Sequence, residues 1–271
     1  MAIITKISAQ KRPGRYNIFL DNQYAFSLSE KTVANFVLLK GKELSNGEIE
    51  KIKKFDTDAK ASELAAKFLS YEPRTVYEVL QYLKKYEVSD DSALLAVQEL
   101  SKLGYLDDQE YAKLFIRNDL QVGVDGPNNL NRKLTQKGLD PELIQNALEE
   151  TNEEEFIEVG NRLVKSLIKK AGKLSEREIK NKMKIKLINH GFSSGLANEV
   201  VASFDLSLSE DEQIEALKKQ GIKAYKKFRN FDEREKYFKI KKYLFTHGFS
   251  SEEIEAFLNG EITDLDELSE Y

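Results

Sequence analysis

His190 and His247 are the only imidazoles in this 271-residue chain, and each stands immediately before a glycine. At the last turn of a helix an imidazolium is favoured by the macrodipole and can bond exposed carbonyls, so a structural role explains both histidines at once. Asp107, Asp108 and Glu110 could be imagined as a magnesium site serving a metal-assisted hydrolase. The same residues precede Tyr111-Ala112 and Phe115, where a short carboxylate belongs at a helix start, with Asp107 as the cap. There is no cysteine, which excludes disulfides, thiolate zinc sites, iron–sulfur clusters and cysteine nucleophiles. Neither a Gly-x-x-x-x-Gly-Lys-Ser/Thr loop nor a Gly-x-Gly-x-x-Gly turn is present, and no Ser/His/Asp set can be assembled. The expectation is a protein without catalytic residues, metal or cofactor.

Charge is the richer signal. Of all residues 32% are charged and 41% hydrophobic, with a net charge of −4 that hides strong segregation. Residues 160–190 carry ten Lys/Arg against two acids, and 218–242 carry eleven against three. The opposite blocks are 149–158, with six Glu, and 252–271, with eight acids, neither holding a base. Such runs form solvated helix faces or meet an acidic surface or nucleic acid. Aromatics interleave with the bases in Tyr225-Lys226-Lys227-Phe228-Arg229-Asn230-Phe231 and in Lys236-Tyr237-Phe238-Lys239. Exposed rings there could stack on nucleobases. Helical spacing assigns Tyr225, Phe228 and Phe231 to the core instead.

The elements that must position these residues are mostly helices. Residues 3–8, Arg15–Asp21 and Tyr24–Ser29 are β-branched or alternate at period two, with turn chemistry at Arg12-Pro13-Gly14 and Asp21-Asn22, which predicts a three-stranded antiparallel meander. A helix over Glu30–Leu39 and another opened by the Ser45-x-x-Glu48 capping box complete a small module, residues 1–55. From there the chain repeats itself. Leu134–Gly138, Leu187–Gly191 and Leu244–Gly248 each end in a glycine followed by an apolar residue and an N-cap type, and a diverged copy has Glu87 at the glycine position. The copies lie 51, 53 and 57 residues apart.

Each copy reads as a helix, a tight turn at the glycine, and a second helix capped by Ser or Asp. One further helix per copy gives three-helix units. The expected units are 56–104, 105–151, 152–206 and 207–259, followed by an acidic tail over 260–271, with helices at 57–70, 74–86 and onward. Gly138, Gly191, Gly248 and Asp107 are the expected structural residues. The fold class is mainly α, with tandem three-helix repeats stacking into an elongated curved solenoid behind a small β-meander module.

Phe68-Leu69-Ser70-Tyr71-Glu72-Pro73-Arg74, with Leu80 and Leu83 behind it, resembles a signature of the RecX family of regulatory proteins. The resemblance continues through Gly104-Tyr105-Leu106-Asp107-Asp108-x-x-Tyr111-Ala112, Phe115-Ile116-Arg117, Gly126-Pro127 and Leu134-x-x-Lys137-Gly138-Leu139, and the plan of strands plus helical triplets looks like the long Gram-positive form.

What the resemblance implies is a non-enzymatic regulator. Family members lie along the groove of the RecA–single-stranded DNA filament, restrain its ATPase and strand exchange, and touch DNA weakly. The partner-binding or DNA-binding candidates are Arg74, Arg117, Arg132, Lys137, Lys180, Lys184, Lys226 and Lys227. An alternative is an autonomous DNA-binding helical-repeat protein. No run is long and apolar enough for a membrane span and no signal-peptide core opens the chain, so a cytoplasmic monomer is expected.

Overall fold

A computed structural model describes residues 1–11, 13–204 and 208–263. Strands β1 (Ala2–Ala9), β2 (Arg15–Leu20), β3 (Gln23–Ser29) and β4 (Glu43–Leu44) form an antiparallel sheet in the order β3-β2-β1-β4. The expected meander is present and gains a short fourth strand through Ala2↔Leu44 pairing. Asp21 and Asn22 both take positive φ, 49° and 66°, the turn that matches strand twist in a two-residue hairpin. Arg12, part of the other expected turn, lies outside the described residues.

Helix α1 (Glu30–Asn35) is shorter than the expected Glu30–Leu39. Val37 turns to φ +45°, and the Lys42 ammonium donates to the freed Phe36 carbonyl at 2.6 Å. The turn delivers Leu38 into a core with Ile4, Ile18, Leu28, Leu44 and Ile52. Helix α2 (Asn46–Leu69) opens on the full Ser45/Glu48 capping box and then runs unbroken. The expected interruption before a helix at 57–70 is absent, so the boundary drawn at 55/56 falls inside α2. The reason is Asp56. Its carboxylate accepts from Ser29 N (2.6 Å), the Thr32 hydroxyl (2.8 Å) and Arg15 (3.3 Å), so a buried charge ties the helix to the sheet instead of ending it.

The remaining helices fall into threes. The first triplet uses α2, α3 (Val76–Lys85) and α4 (Asp90–Lys102); the second α5 (Asp108–Val122), α6 (Pro127–Gln136) and α7 (Pro141–Glu149). The third has α8 (Glu153–Ile168), α9 (Glu176–Asn189) and α10 (Ser194–Ala202); the fourth α11 (Glu210–Lys227), α12 (Glu233–Thr246) and α13 (Ser251–Leu258). A boundary at 206/207 and most of an acidic tail, 264–271, fall outside the described residues. By internal contact the chain divides into two compact units, residues 1–112 with 134–144, and 113–133 with the rest.

Each middle helix ends alike. Leu139 N, Phe192 N and Phe249 N donate back to Leu134, Leu187 and Leu244 carbonyls at 3.1–3.3 Å, and these three apolar residues are buried. Between donor and acceptor sit Gly138, Gly191 and Gly248, with φ of +79°, +87° and +89°. In the first triplet Val88 N makes the same bond to Leu83, and Glu87 occupies the glycine position at φ +56°.

These turns join consecutive triplets. The Thr75 hydroxyl caps α3 by accepting from Glu78 N at 3.1 Å, and donates to the Lys137 carbonyl at the end of α6 at 2.7 Å. Ser175 caps α9 at 3.1 Å from Glu178 N and donates to the His247 carbonyl at the end of α12. Between them, Gly126 N and Asn128 N at the start of α6 donate to the His190 and Gly191 carbonyls at 2.7 and 3.0 Å. Every joint sets the electropositive start of one middle helix against the electronegative end of the next, each side supplying groups the other's helix leaves unbonded. The approach is too close for a side chain: a Cβ on Gly191 would lie 2.5 Å from Asn129 N, and one on Gly248 2.8 Å from the Arg177 Cβ.

Gly104 separates the two demands, because it has φ +77° with open space where a Cβ would stand. Gly104→Ala should cost about 1 kcal/mol from backbone strain alone. Gly191→Ala should cost about 2–4 kcal/mol, since the Asn129 backbone cannot yield. Equal losses in urea unfolding would mean that the joint tolerates a Cβ.

Glu78 carries a second test. Burial opposes its charge, yet hydrogen bonds from Lys137 and the Thr75 amide win, holding its carboxyl below the ordinary value of 4.5. A depressed carboxylate contributes stability above its unfolded pKa and loses it as pH falls. The stability gap between the wild type and Glu78→Gln should therefore be full near neutrality and close as the solution is acidified through the glutamate range. A gap independent of pH would remove the charged bond from the joint.

Candidate partner and nucleic-acid interface

The acidic cluster at 107–110 is spent on helix starts. Asp107 Oδ1 accepts from Glu110 N at 2.9 Å, capping α5, and Asp108 Oδ1 accepts from Val76 N, the first residue of α3, at 2.9 Å. Burial, followed by the neighbouring Asp107 and Glu78 charges, pushes the Asp108 carboxyl up against the pull of that amide. Two carboxylates aimed at backbone amides are poorly placed to share a cation. Both histidines sit where their spacing put them, as C-caps of α9 and α12. His247 Nδ1 lies 2.7 Å from the Tyr243 carbonyl, and the two rings stack at 3.9 Å.

Many bases of the cationic stretches hold the fold together. Arg162 donates to the Leu120 and Gly123 carbonyls at 2.9 and 2.8 Å, closing the end of α5. Lys186 and Lys219 donate to the Leu163 and Gly172 carbonyls, and Lys241 pairs with Glu255. Lys133 pairs with the buried Asp125, which also accepts from Asn129 at 3.0 Å and lies 3.9 Å from His190. Burial works against that charge, but these partners hold the Asp125 carboxyl below its usual value.

Among the candidate residues, two are committed locally. Lys137 bonds Glu78 at 2.8 Å and lies 5.5 Å from the Tyr111 ring. Arg74 precedes the Thr75 cap, outside α3 rather than at its start as the expected 74–86 helix had it. Its guanidinium pairs with Glu72 and lies over Phe68 at 4.5 Å, with Nε buried and without a hydrogen-bond partner. Arg117 on α5, Arg132 on α6 and Lys184 on α9 are exposed and make no ion pair with a described residue. Lys180 pairs with Glu176 one turn away. Lys226 and Lys227 end α11 exposed, and Lys227 lies 5.3 Å from both the Phe228 and Tyr243 rings.

The structure brings Lys180 and Lys184 together with Arg177, which the sequence reading did not single out, along one groove of α9 that also meets Glu176, Asn181, Gln213 and Gly248. Positions i, i+3 and i+7 of a helix share a face, so the signal was present in the spacing. Arg117 lines a separate small cavity with Lys113, Leu120, Glu150 and Glu155. Tyr225 and Phe228 pack against the fourth triplet's core as expected, whereas Phe231 is 39% exposed, and Phe238 and Phe245 are 60% and 56% exposed. No helix among the described residues is long and apolar enough to cross a membrane.

Family models fit this arrangement in three places. Residues 2–45 match the regulatory protein RecX N-terminal domain, 107–148 the RecX second three-helix domain, and 210–258 the RecX third three-helix domain. The chain is 57% identical over 271 residues to a regulatory protein RecX of Lactobacillus gasseri, covering 100% of both chains. Against a Bacillus subtilis regulatory protein RecX it is 36% identical over 262 residues, covering 96% of this chain and 99% of the other. A crystal structure of a regulatory protein RecX aligns with a TM-score of 0.61 at 32% identity, covering 74% of this chain and 98% of that one. With capped triplets, a four-stranded N-terminal sheet and full-length similarity in agreement, the chain belongs to the RecX family of regulatory proteins.

Proposed function

We propose that this protein binds the RecA–single-stranded DNA filament in the cytoplasm and restrains its ATPase and strand exchange, as a monomer and without chemistry of its own. The observation that carries this reading is full-length similarity to regulatory proteins RecX, joined to cations left unspent by the fold. Arg177 and Lys184, with the Glu176-paired Lys180 between them, form a row suited to phosphates or carboxylates, and arginine's fixed fork at Arg117 and Arg132 suits the same groups. The metal-assisted alternative loses support because Asp107 and Asp108 serve as backbone caps. An autonomous DNA-binding role is favoured by Phe238 and Phe245, exposed rings beside Lys239, Lys241 and Lys242.

The deciding measurement is RecA ATPase on single-stranded DNA with and without this protein. A reduced rate supports the filament reading; salt-sensitive binding to naked DNA with no effect on RecA supports the alternative. Reversing Lys180, Lys184, Lys226 and Lys227 to Glu should weaken filament binding and flatten its salt dependence. An unchanged affinity and salt slope would make those lysines solvated surface only.

The two arginines should now behave differently. Arg117→Ala should leave the melting temperature in place and relieve inhibition of RecA ATPase. Arg74→Ala should lose about 1 kcal/mol of stability, having given up its ring contact and its Glu72 pair. Full inhibition by the Arg117 variant would remove that residue from the contact surface.

A further inference from the structure

The start of the fourth middle helix is built like the other three, but among the described residues no helix end is bonded to it. At the three filled joints the cap positions Thr75, Gly126 and Ser175 are buried, and the next triplet's helix end lies on them. The corresponding cap of α12, Asp232, is exposed, although it caps normally by accepting from Glu235 N at 2.9 Å. On α9 the residues two, five and six positions after the cap, Arg177, Lys180 and Asn181, line the groove that meets Gly248. Their counterparts on α12 are Arg234, Tyr237 and Phe238, all exposed, with Phe231 exposed beside the cap. Exposed rings at the place where each earlier triplet receives a neighbour are the opposite of a polar closing face.

The filled joints also define what fits. The incoming helix ends in Lys137, His190 or His247, then a glycine, then a buried apolar residue. At two of these joints the base meets an acid near the receiving helix start: Lys137 bonds Glu78 at 2.8 Å, and His190 lies 3.9 Å from Asp125, whereas His247 Nδ1 turns to the Tyr243 carbonyl. The α12 start presents three exposed acids: Asp232, which caps the helix, Glu233, 3.4 Å from Lys236, and Glu235, 3.5 Å from Lys239. The chain's own leading copy of the motif cannot serve. It reads Tyr86-Glu87, with no base, an added negative charge, and a Cβ where the joint admits none.

We infer that the face of α12 formed by Phe231, Asp232, Arg234 and Phe238 is an open fourth joint that docks a partner protein's helix ending in a basic residue followed by glycine and an apolar residue. Glu87, held at a positive φ that glycine would adopt without strain, keeps copies of this chain from occupying it end to end, a contact that would not close on itself. The inference does not rest on the RecA reading, since it follows from the repeat joints alone.

The chain can be made its own probe. Tyr86→Lys with Glu87→Gly rebuilds the incoming motif on the full-length protein, and sedimentation velocity from micromolar to several hundred micromolar reads the outcome. The double variant should sediment faster as concentration rises, while the wild type stays constant. Tyr86→Lys with Glu87→Asn, which tolerates the backbone but keeps a Cβ, should behave as the wild type. Adding Phe238→Asp to the glycine variant should restore constant sedimentation without lowering its melting temperature. Should the lysine disturb the packing of Tyr86 on Tyr82, whose ring centroids lie 4.9 Å apart, and with it the fold, Glu87→Gly alone should show the same assembly at higher concentration. A glycine variant that does not assemble, an asparagine variant that assembles equally, or assembly appearing only after deletion of residues 264–271 would each overturn the inference, the last by making the tail the occupant.

Discussion

Placing the start of one middle helix on the end of the next is the constraint around which the rest of this protein is arranged. A helix end leaves carbonyls without partners, and a helix start leaves amides without partners. Stacking them gives the neighbour's last carbonyls a donor, either the Gly126 and Asn128 amides or the Thr75 and Ser175 hydroxyls, at an approach that leaves no room for a Cβ on the turn glycine. The glycine is therefore required twice, for its backbone angle and for its size. Thr75 and Ser175 are required twice as well, each hydroxyl accepting from its own helix and donating to the neighbour's last turn. Two hydrogen bonds per oxygen make these buried hydroxyls fully used, which is the condition under which burying them is tolerable.

The joint also explains why so little of the cationic surplus is available for a partner. Helix ends attract cations, and Arg162 is drawn onto carbonyls at the end of α5, while Lys186 and Lys219 are taken up by the Leu163 carbonyl within α8 and the Gly172 carbonyl in the turn after it. Lys137 and Lys133 answer the acids that sit near helix starts. What remains exposed is sparse and falls on particular faces, above all Arg177 and Lys184 along one groove. A charge count over residues 160–190 therefore overstates the binding surface, and the geometry narrows it.

Much of the fold was legible because local rules carry it. The repeat showed in Leu-x-x-x-Gly spacing, and the caps at Ser45 and Asp107 showed as residue types ahead of apolar runs. The continuity of α2 did not show. It depends on Asp56 meeting Ser29, Thr32 and Arg15, a contact between residues 24 to 41 positions apart that no local pattern encodes. The start of α3 lies two residues beyond that of the expected 74–86 helix for a nearer reason: Thr75, with Glu78, forms a full capping box. The site was less legible still. Sequence marks where cations are, whereas their availability is decided by long-range pairing with acids and carbonyls.

Length adds a last step. From cap to turn, Thr75 to Glu87 and Gly126 to Gly138 each span twelve residues, whereas Ser175 to Gly191 and Asp232 to Gly248 each span sixteen. The later middle helices are thus one turn longer, about 5.4 Å, although every joint uses the same ends. An alignment anchored on the glycines hides this, because the added turn enters toward the helix start. The added turn enlarges the face between the two ends without altering either. On α9 that face carries Lys180 and Lys184, and on α12 it carries Tyr237, Phe238 and Lys241. A repeat whose ends are fixed by backbone chemistry can change only in the middle, and the middle is where this chain has placed exposed Lys184, Tyr237 and Phe238 beside the acid-paired Lys180 and Lys241.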